Sequence, residues 1–177
     1  MIDRPAFPRR LFLKRSLQAT ALVALPWSGS GCAPEGEPEG GLITFSSSEY
    51  AVADAFARTL IPDGGAFEAG AGSVGLAGRM DAYLSTERPE VLSGFASALW
   101  LLNLGPLFVI GKPRRFTKLD LADRESYLEA LPTSFGLARE IYNALRRSFM
   151  FLFYNIDETW KPLGYDGPWT VAQDDGA

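Results

Sequence analysis

From Ser46 to Asn155 the apolar residues recur at spacings of three and four, the period of helices that bury one face. The first of these segments opens at Ser46-x-x-Glu49, a capping box: the serine side chain accepts from the third backbone N–H, and the glutamate reaches back to the cap. It predicts a helix to about Ile61, with Ala53, Phe56, Ala57, Leu60 and Ile61 on one face. Pro62 stops it, and Asp63-Gly64-Gly65 begins a glycine-rich loop over 64–73. A second helix is expected from about Ser73 to Leu84, with Val74, Ala77, Asp81 and Leu84 in register and Gly75 and Gly78 weakening it. Pro89 suits the first turn of a third, where its missing N–H has no partner to lose. That helix carries Val91, Leu92, Phe95, Leu99 and Leu102 and should end near Gly105-Pro106.

The apolar run from Ala98 to Ile110 is broken by Asn103, Gly105 and Pro106. It is too short to span a bilayer, which takes about 20 residues, so buried core is expected. Gly111-Lys112-Pro113-Arg114-Arg115 is an exposed basic connector and lacks the Gly-x-x-x-x-Gly-Lys pattern of a phosphate loop. Phe116-x-x-Leu119 leads into a fourth helix capped by Asp120, with Leu121, Tyr127, Leu128 and Leu131 inward and Pro132 as its end. The fifth, from about Ser134 to Asn155, repeats Leu137, Ile141, Leu145, Phe149, Leu152 and Phe153. Its second half, Phe149 to Tyr154, is apolar almost all round, which predicts burial on every side, either centrally in the bundle or against another chain. No stretch alternates with period two. The pattern predicts an all-α fold: a small bundle of about five helices with an irregular aromatic C-terminal tail.

The N-terminus reads as an address. Arg9-Arg10-Leu11-Phe12-Leu13-Lys14 is a twin arginine followed by Phe-Leu-Lys, and a short apolar run, Ser16 to Trp27, follows. This matches a twin-arginine export signal, recognised by the twin-arginine translocase that moves folded cargo. Its functional residues are Arg9, Arg10, Phe12, Leu13 and Lys14. Gly29-Ser30-Gly31-Cys32 ends the segment with small residues and the chain's one cysteine. A lone thiol in a disulfide-permissive compartment has no obvious structural use. As the lipidated first residue of a mature lipoprotein, Cys32 would tie the protein to a membrane without a spanning helix. The expected organisation is therefore a signal over 1–31, a flexible tether over 32–43, a helical domain over 44–169 and a disordered end over 170–177. Export places the domain on the periplasmic side.

Charge and composition narrow the chemistry. The whole chain carries a formal −4, and most of residues 1–31's charge is basic, so the remainder is more acidic still. That argues against nucleic acid and against electrostatic attraction to an anionic bilayer. The 177 residues include no histidine. Ser-His and Cys-His nucleophiles, histidine-ligated haem and zinc sites of His and Cys are thereby excluded. Carboxylate chemistry would draw on Asp81 with Glu140, or on Asp157 with Glu158, although isolated acids on helices are ordinarily solvated surface. No catalytic or metal-ligating constellation stands out.

The tail has two readings. Tyr154, Trp160, Tyr165 and Trp169 are interleaved with glycine and proline. They can fold back to plug their own bundle, or present the aromatic anchors typical of an interface. A partner surface on this tail and the last helix would use Phe149, Phe153, Tyr154, Trp160, Gly164, Tyr165, Asp166, Gly167, Pro168 and Trp169.

Several of these segments together are similar to the gluconate 2-dehydrogenase subunit 3 family. They are the capped first helix ending Leu60-Ile61-Pro62-Asp63, the Ala/Gly-rich loop, Phe116-x-x-Leu119, and above all Trp160-x-x-x-Gly164-Tyr165-Asp166-Gly167-Pro168-Trp169. The resemblance implies a non-catalytic small subunit without a cofactor of its own. It would bind a large FAD-dependent dehydrogenase of the glucose-methanol-choline type that acts on sugars, sugar acids or alcohols. It would help assemble that enzyme and carry it across the membrane, with a cytochrome subunit or another acceptor taking the electrons. The alternative is a stand-alone periplasmic lipoprotein that binds a small apolar ligand in a bundle lined by Phe95, Trp100, Phe108, Phe149 and Phe153.

Overall fold

The computed structural model describes residues 41–65 and 68–167. Among them the protein is all-α, with no strand. The helices are α1 (Ser47–Leu60), α2 (Leu76–Leu84), α3 (Pro89–Leu104), α4 (Pro106–Val109), α5 (Leu121–Ala130) and α6 (Gly136–Tyr154). Single 3-10 turns at Phe116–Lys118, Leu131–Thr133, Asp157–Thr159 and Lys161–Leu163 join or follow them.

The capping box forms as expected. The Glu49 carboxylate accepts the Ser46 N–H at 2.7 Å, and the Ser46 hydroxyl accepts the Glu49 N–H. Helix α1 then buries Val52, Ala53, Phe56 and Ala57, and packs against α2, α3 and α5. Phe56 is the centre of the core. It meets Phe149 edge-on at 5.4 Å and Tyr142 at 6.4 Å, while Phe95 packs on Phe149 and stacks on Phe45 at 6.0 Å. Each fully buried ring of this kind contributes about 1.5–3 kcal/mol of transfer free energy.

Helix α2 begins later than the expected Ser73. The Asp63 carboxylate accepts the N–H groups of Gly70 and Ser73, both at 3.0 Å, and the Ser73 hydroxyl donates to the Gly70 carbonyl. Those bonds hold residues 70–73 in a loop, and Gly75 opens the helix in the left-handed conformation at φ 60°. Gly70 lies so close to the Asp63 backbone that a Cβ there would collide with it.

Two expectations of burial fail. Leu121 and Leu137, expected inward, are largely exposed. The run Ala98–Ile110 is only partly core: Leu99, Leu102 and Pro106 are buried, whereas Trp100, Leu107 and Phe108 are exposed. Gly105 stays in the right-handed helical region, so the chain does not stop there but turns into α4 with Pro106 at its first position. The second half of α6 is not covered all round by its own chain. Phe149 and Phe153 face the core, and Phe151 and Tyr154 face outward.

The chain just ahead of α1 is tied down from α2. The side chain of Asp81 on α2 is buried, and it accepts the backbone N–H groups of Ile43 (2.7 Å), Thr44 (2.9 Å) and Phe45 (2.6 Å). The Thr44 hydroxyl returns a bond to the Asp81 carbonyl. One carboxylate thus fixes the strip of chain that leads into α1.

Candidate functional site

Two surfaces stand out, one at each end of α6. At its C-terminal end the chain would leave carbonyls unpaired. The buried Thr159 hydroxyl donates to those of Ile156 (2.7 Å) and Phe153 (3.1 Å), and the Trp160 indole N–H donates to that of Tyr154 (2.8 Å). Trp160 is in turn the hub of the segment that follows. Gly164 takes φ 70°, a left-handed turn that lets the Tyr165 N–H donate back to the Trp160 carbonyl at 3.1 Å. The Tyr165 ring meets the indole edge-on at 5.5 Å. Gly167, at φ 109°, leaves room for the indole: a Cβ there would come within 3.3 Å of it. The spacing Trp160-x-x-x-Gly164-Tyr165-x-Gly167 is the pattern of one local fold.

This fold holds an aromatic ledge in solvent. Tyr154 and Tyr165 are exposed, as is Phe151 one turn before Tyr154, with Tyr83 of α2 edge-on to Phe151 at 6.4 Å. Hydrogen bonding to Glu87, above all, raises the Tyr83 hydroxyl's pKa above its ordinary value. Asp166 is exposed beside Tyr165.

Among the residues expected to face a partner, Tyr154, Trp160, Gly164, Tyr165, Asp166 and Gly167 therefore lie together. Phe149 and Phe153 do not join them. They are 0% and 1% exposed, turned into the chain's own core. Pro168 and Trp169 lie outside the described residues, as do Arg9, Arg10, Phe12, Leu13, Lys14 and Cys32. Phe151 and Tyr83 were absent from the expected set. An outward aromatic three residues before Tyr154 was readable from helical spacing, but Tyr83 reaches the ledge only through tertiary packing.

The second surface is an apolar groove of about 260 Å³. Trp100, Leu104 and Phe108 wall one side from α3 and α4, and Tyr127 and Leu131 lie across it. Phe135, Leu137 and Ile141, from the start of α6, complete it. Trp100, Phe108, Phe135 and Leu137 are 62%, 73%, 56% and 57% exposed, an unusual concentration of bare apolar side chains. Tyr127 is buried, which pushes its hydroxyl far above the ordinary tyrosine range, and it donates to the Leu102 carbonyl at 3.1 Å. Of the five residues expected to line a ligand cavity, Trp100 and Phe108 do. Phe149 and Phe153 are packed core, and Phe95 packs against that core.

The candidate acid pairs are not brought together as sites. Asp81 is buried with both oxygens taken by backbone N–H groups, and Glu140 is exposed. Asp157 and Glu158 are exposed neighbours on a 3-10 turn. Among the described residues no group of three or more acids, cysteines or histidines could hold a metal ion, and no helix is long and apolar enough to cross a membrane. No protein-family model, no curated protein and no solved structure matches the chain. The fold and its two surfaces define a small helical bundle whose distinctive chemistry is outward-facing and aromatic.

Proposed function

We propose that this chain is a non-catalytic small subunit that binds, helps assemble and exports a large FAD-dependent dehydrogenase acting on sugars, sugar acids or alcohols, as its resemblance to the gluconate 2-dehydrogenase subunit 3 family implies. The observation that carries the reading is the ledge of Tyr83, Phe151, Tyr154 and Tyr165, buttressed by Trp160. Tyrosine and tryptophan offer large contact area with few rotatable bonds, and rigid turns lower the entropy lost on docking. The Gly164 and Gly167 turns put such side chains in place before any partner arrives.

The addresses at the other end of the chain support the same role. Arg9 and Arg10 would take a folded complex through the twin-arginine translocase, so that a flavoprotein loaded with FAD in the cytoplasm crosses with this subunit. Cys32, lipidated, would then hold the complex at the membrane on the periplasmic side. The flavin belongs to the partner, and electrons leave it for a cytochrome subunit or another acceptor. Expressing the dehydrogenase with an Arg9→Lys/Arg10→Lys chain tests the carrier role. The flavoprotein is expected to remain in the cytoplasm, and normal periplasmic levels would contradict it.

A further inference from the structure

The aromatic ledge carries charge on its rim. Asp157 and Glu158 follow directly on α6, and Asp166 adjoins Tyr165; all three are exposed. Backbone bonds gather them into one local fold. The Asp157 carbonyl accepts the Trp160 N–H at 3.1 Å, and the Trp160 carbonyl accepts the Tyr165 N–H at 3.1 Å.

These carboxylates are unengaged, which sets them apart. Among the described residues, Asp54 and Asp123 form ion pairs, and Asp63, Asp81 and Asp120 accept backbone N–H groups. Asp157, Glu158 and Asp166 have neither an ion pair nor a side-chain hydrogen bond. The cations beside them are Lys161, in the same segment, and Arg147, one turn before Phe151 on the same face of α6. Beyond Gly167 the sequence adds Asp174 and Asp175 and no further base. The docking end of the chain is therefore acidic in excess.

Interfaces place aromatic residues at the centre and charged ones on the rim, and Tyr154 and Tyr165 with these acids have that layout. Rim charges of complementary sign steer the approach of a partner, and like charges hold it off. A second copy of this chain would oppose the acids with its own Arg147 and Lys161 and leave the acidic excess unmatched. An arginine from a different protein can pair with a carboxylate and stack on a tyrosine ring at once.

Building on the subunit role proposed above, we infer that the ledge docks on a basic face of the partner dehydrogenase, whose arginines and lysines meet Asp157, Glu158 and Asp166. The flavoprotein recovered from its complex with the wild-type chain is passed over immobilised full chain, and surface plasmon resonance reads both rates. Raising salt from about 20 mM to about 500 mM should slow association about tenfold, a test that needs no variant. Asp157→Asn/Glu158→Gln/Asp166→Asn should slow it about fivefold at the lower salt and flatten the salt dependence, with dissociation changed less than about twofold. Glu125→Gln/Glu129→Gln/Glu140→Gln removes the same charge from exposed positions on α5 and the first half of α6, and should leave association within about twofold. Circular dichroism checks that both variants fold. A flavoprotein that binds at a rate altered by neither salt nor the tail variant overturns the basic face and leaves the subunit role standing. Equal slowing by the two triple variants overturns it as well, since net charge alone would then steer. Wild-type dimers that Tyr154→Ala disperses would give the ledge to a second copy and overturn it. If no flavoprotein accompanies the wild-type chain, the subunit role falls and the basic face with it.

Discussion

The carboxylate of Asp81 accepts the backbone N–H of Phe45 at 2.6 Å across 36 residues of chain, and both groups are buried. With the Ile43 and Thr44 bonds it makes one side chain the partner of three consecutive amides. Asp81→Ala leaves those amides unpaired beside the core. It should cost about 3 kcal/mol or more, on the order of 10 °C in Tm. Asp81→Asn can keep the Thr44 and Phe45 bonds on one oxygen while opposing its NH₂ to the Ile43 N–H, so it should cost about half as much. Thermal melts of both variants check the order.

Asp63 does for the 64–73 loop what Asp81 does for the leading strip. Its bonds from Ser73 and then Gly70, aided by Arg58, hold its carboxyl below the ordinary 3.8. A group whose folded pKa is depressed adds stability above its unfolded pKa and loses it as pH falls through the folded one. The stability gap between wild type and Asp63→Asn should therefore be full at neutral pH and close below about pH 3.8, read as urea midpoints across the series. A gap constant down to strongly acidic pH would show that the charge is not what matters.

Gly105 and Tyr127 form a third tight pair. A Cβ at 105 would collide with the Tyr127 hydroxyl that bonds to the Leu102 carbonyl. Gly105→Ala should cost about 2 kcal/mol by overpacking, and Tyr127→Phe about 1 kcal/mol for the lost bond. In the double variant the collision is relieved, so the two costs should fall short of additive by about 1 kcal/mol. A denaturation cycle of the four proteins measures the difference.

The sequence made some of this legible and hid the rest for identifiable reasons. The Ser46–Glu49 capping box, the Pro89 start and the heptad-like face of α6 through Leu145, Phe149 and Phe153 are local signals, and all appear in the fold. The start of α2 was misplaced because a side chain ten residues away, Asp63, decides where residues 70–73 bond. Burial of Trp100, Phe108, Leu121 and Leu137 was over-expected because hydrophobicity shows that a residue favours burial, not that the chain has a neighbour to cover it. Asp81 was read as one position on a helical face, since no pattern along the chain announces a carboxylate that reaches three distant amides. At the ledge the spacing of Trp160, Gly164, Tyr165 and Gly167 is visible along the chain, but a helix end apolar on every side does not show that Phe149 and Phe153 turn into the core while Phe151 and Tyr154 stay exposed.

Because Tyr154 and Tyr165 are exposed, truncating them separates docking from folding. Tyr154→Ala and Tyr165→Ala should each change stability by no more than about 0.5 kcal/mol. Trp160→Ala, which removes the indole bond to the Tyr154 carbonyl, should loosen the whole segment, seen as faster amide exchange from Ile156 to Gly167 while the core around Phe56 stays protected.

The most direct measurement is purification of the full chain from its native host, followed by flavin absorbance, mass spectrometry and an activity assay. The account predicts a stoichiometric FAD-containing dehydrogenase eluting with it, and weaker association by about 2 kcal/mol or more in Tyr154→Ala or Trp160→Ala. A chain that elutes without flavin, or that oxidises a sugar or alcohol by itself, would contradict it.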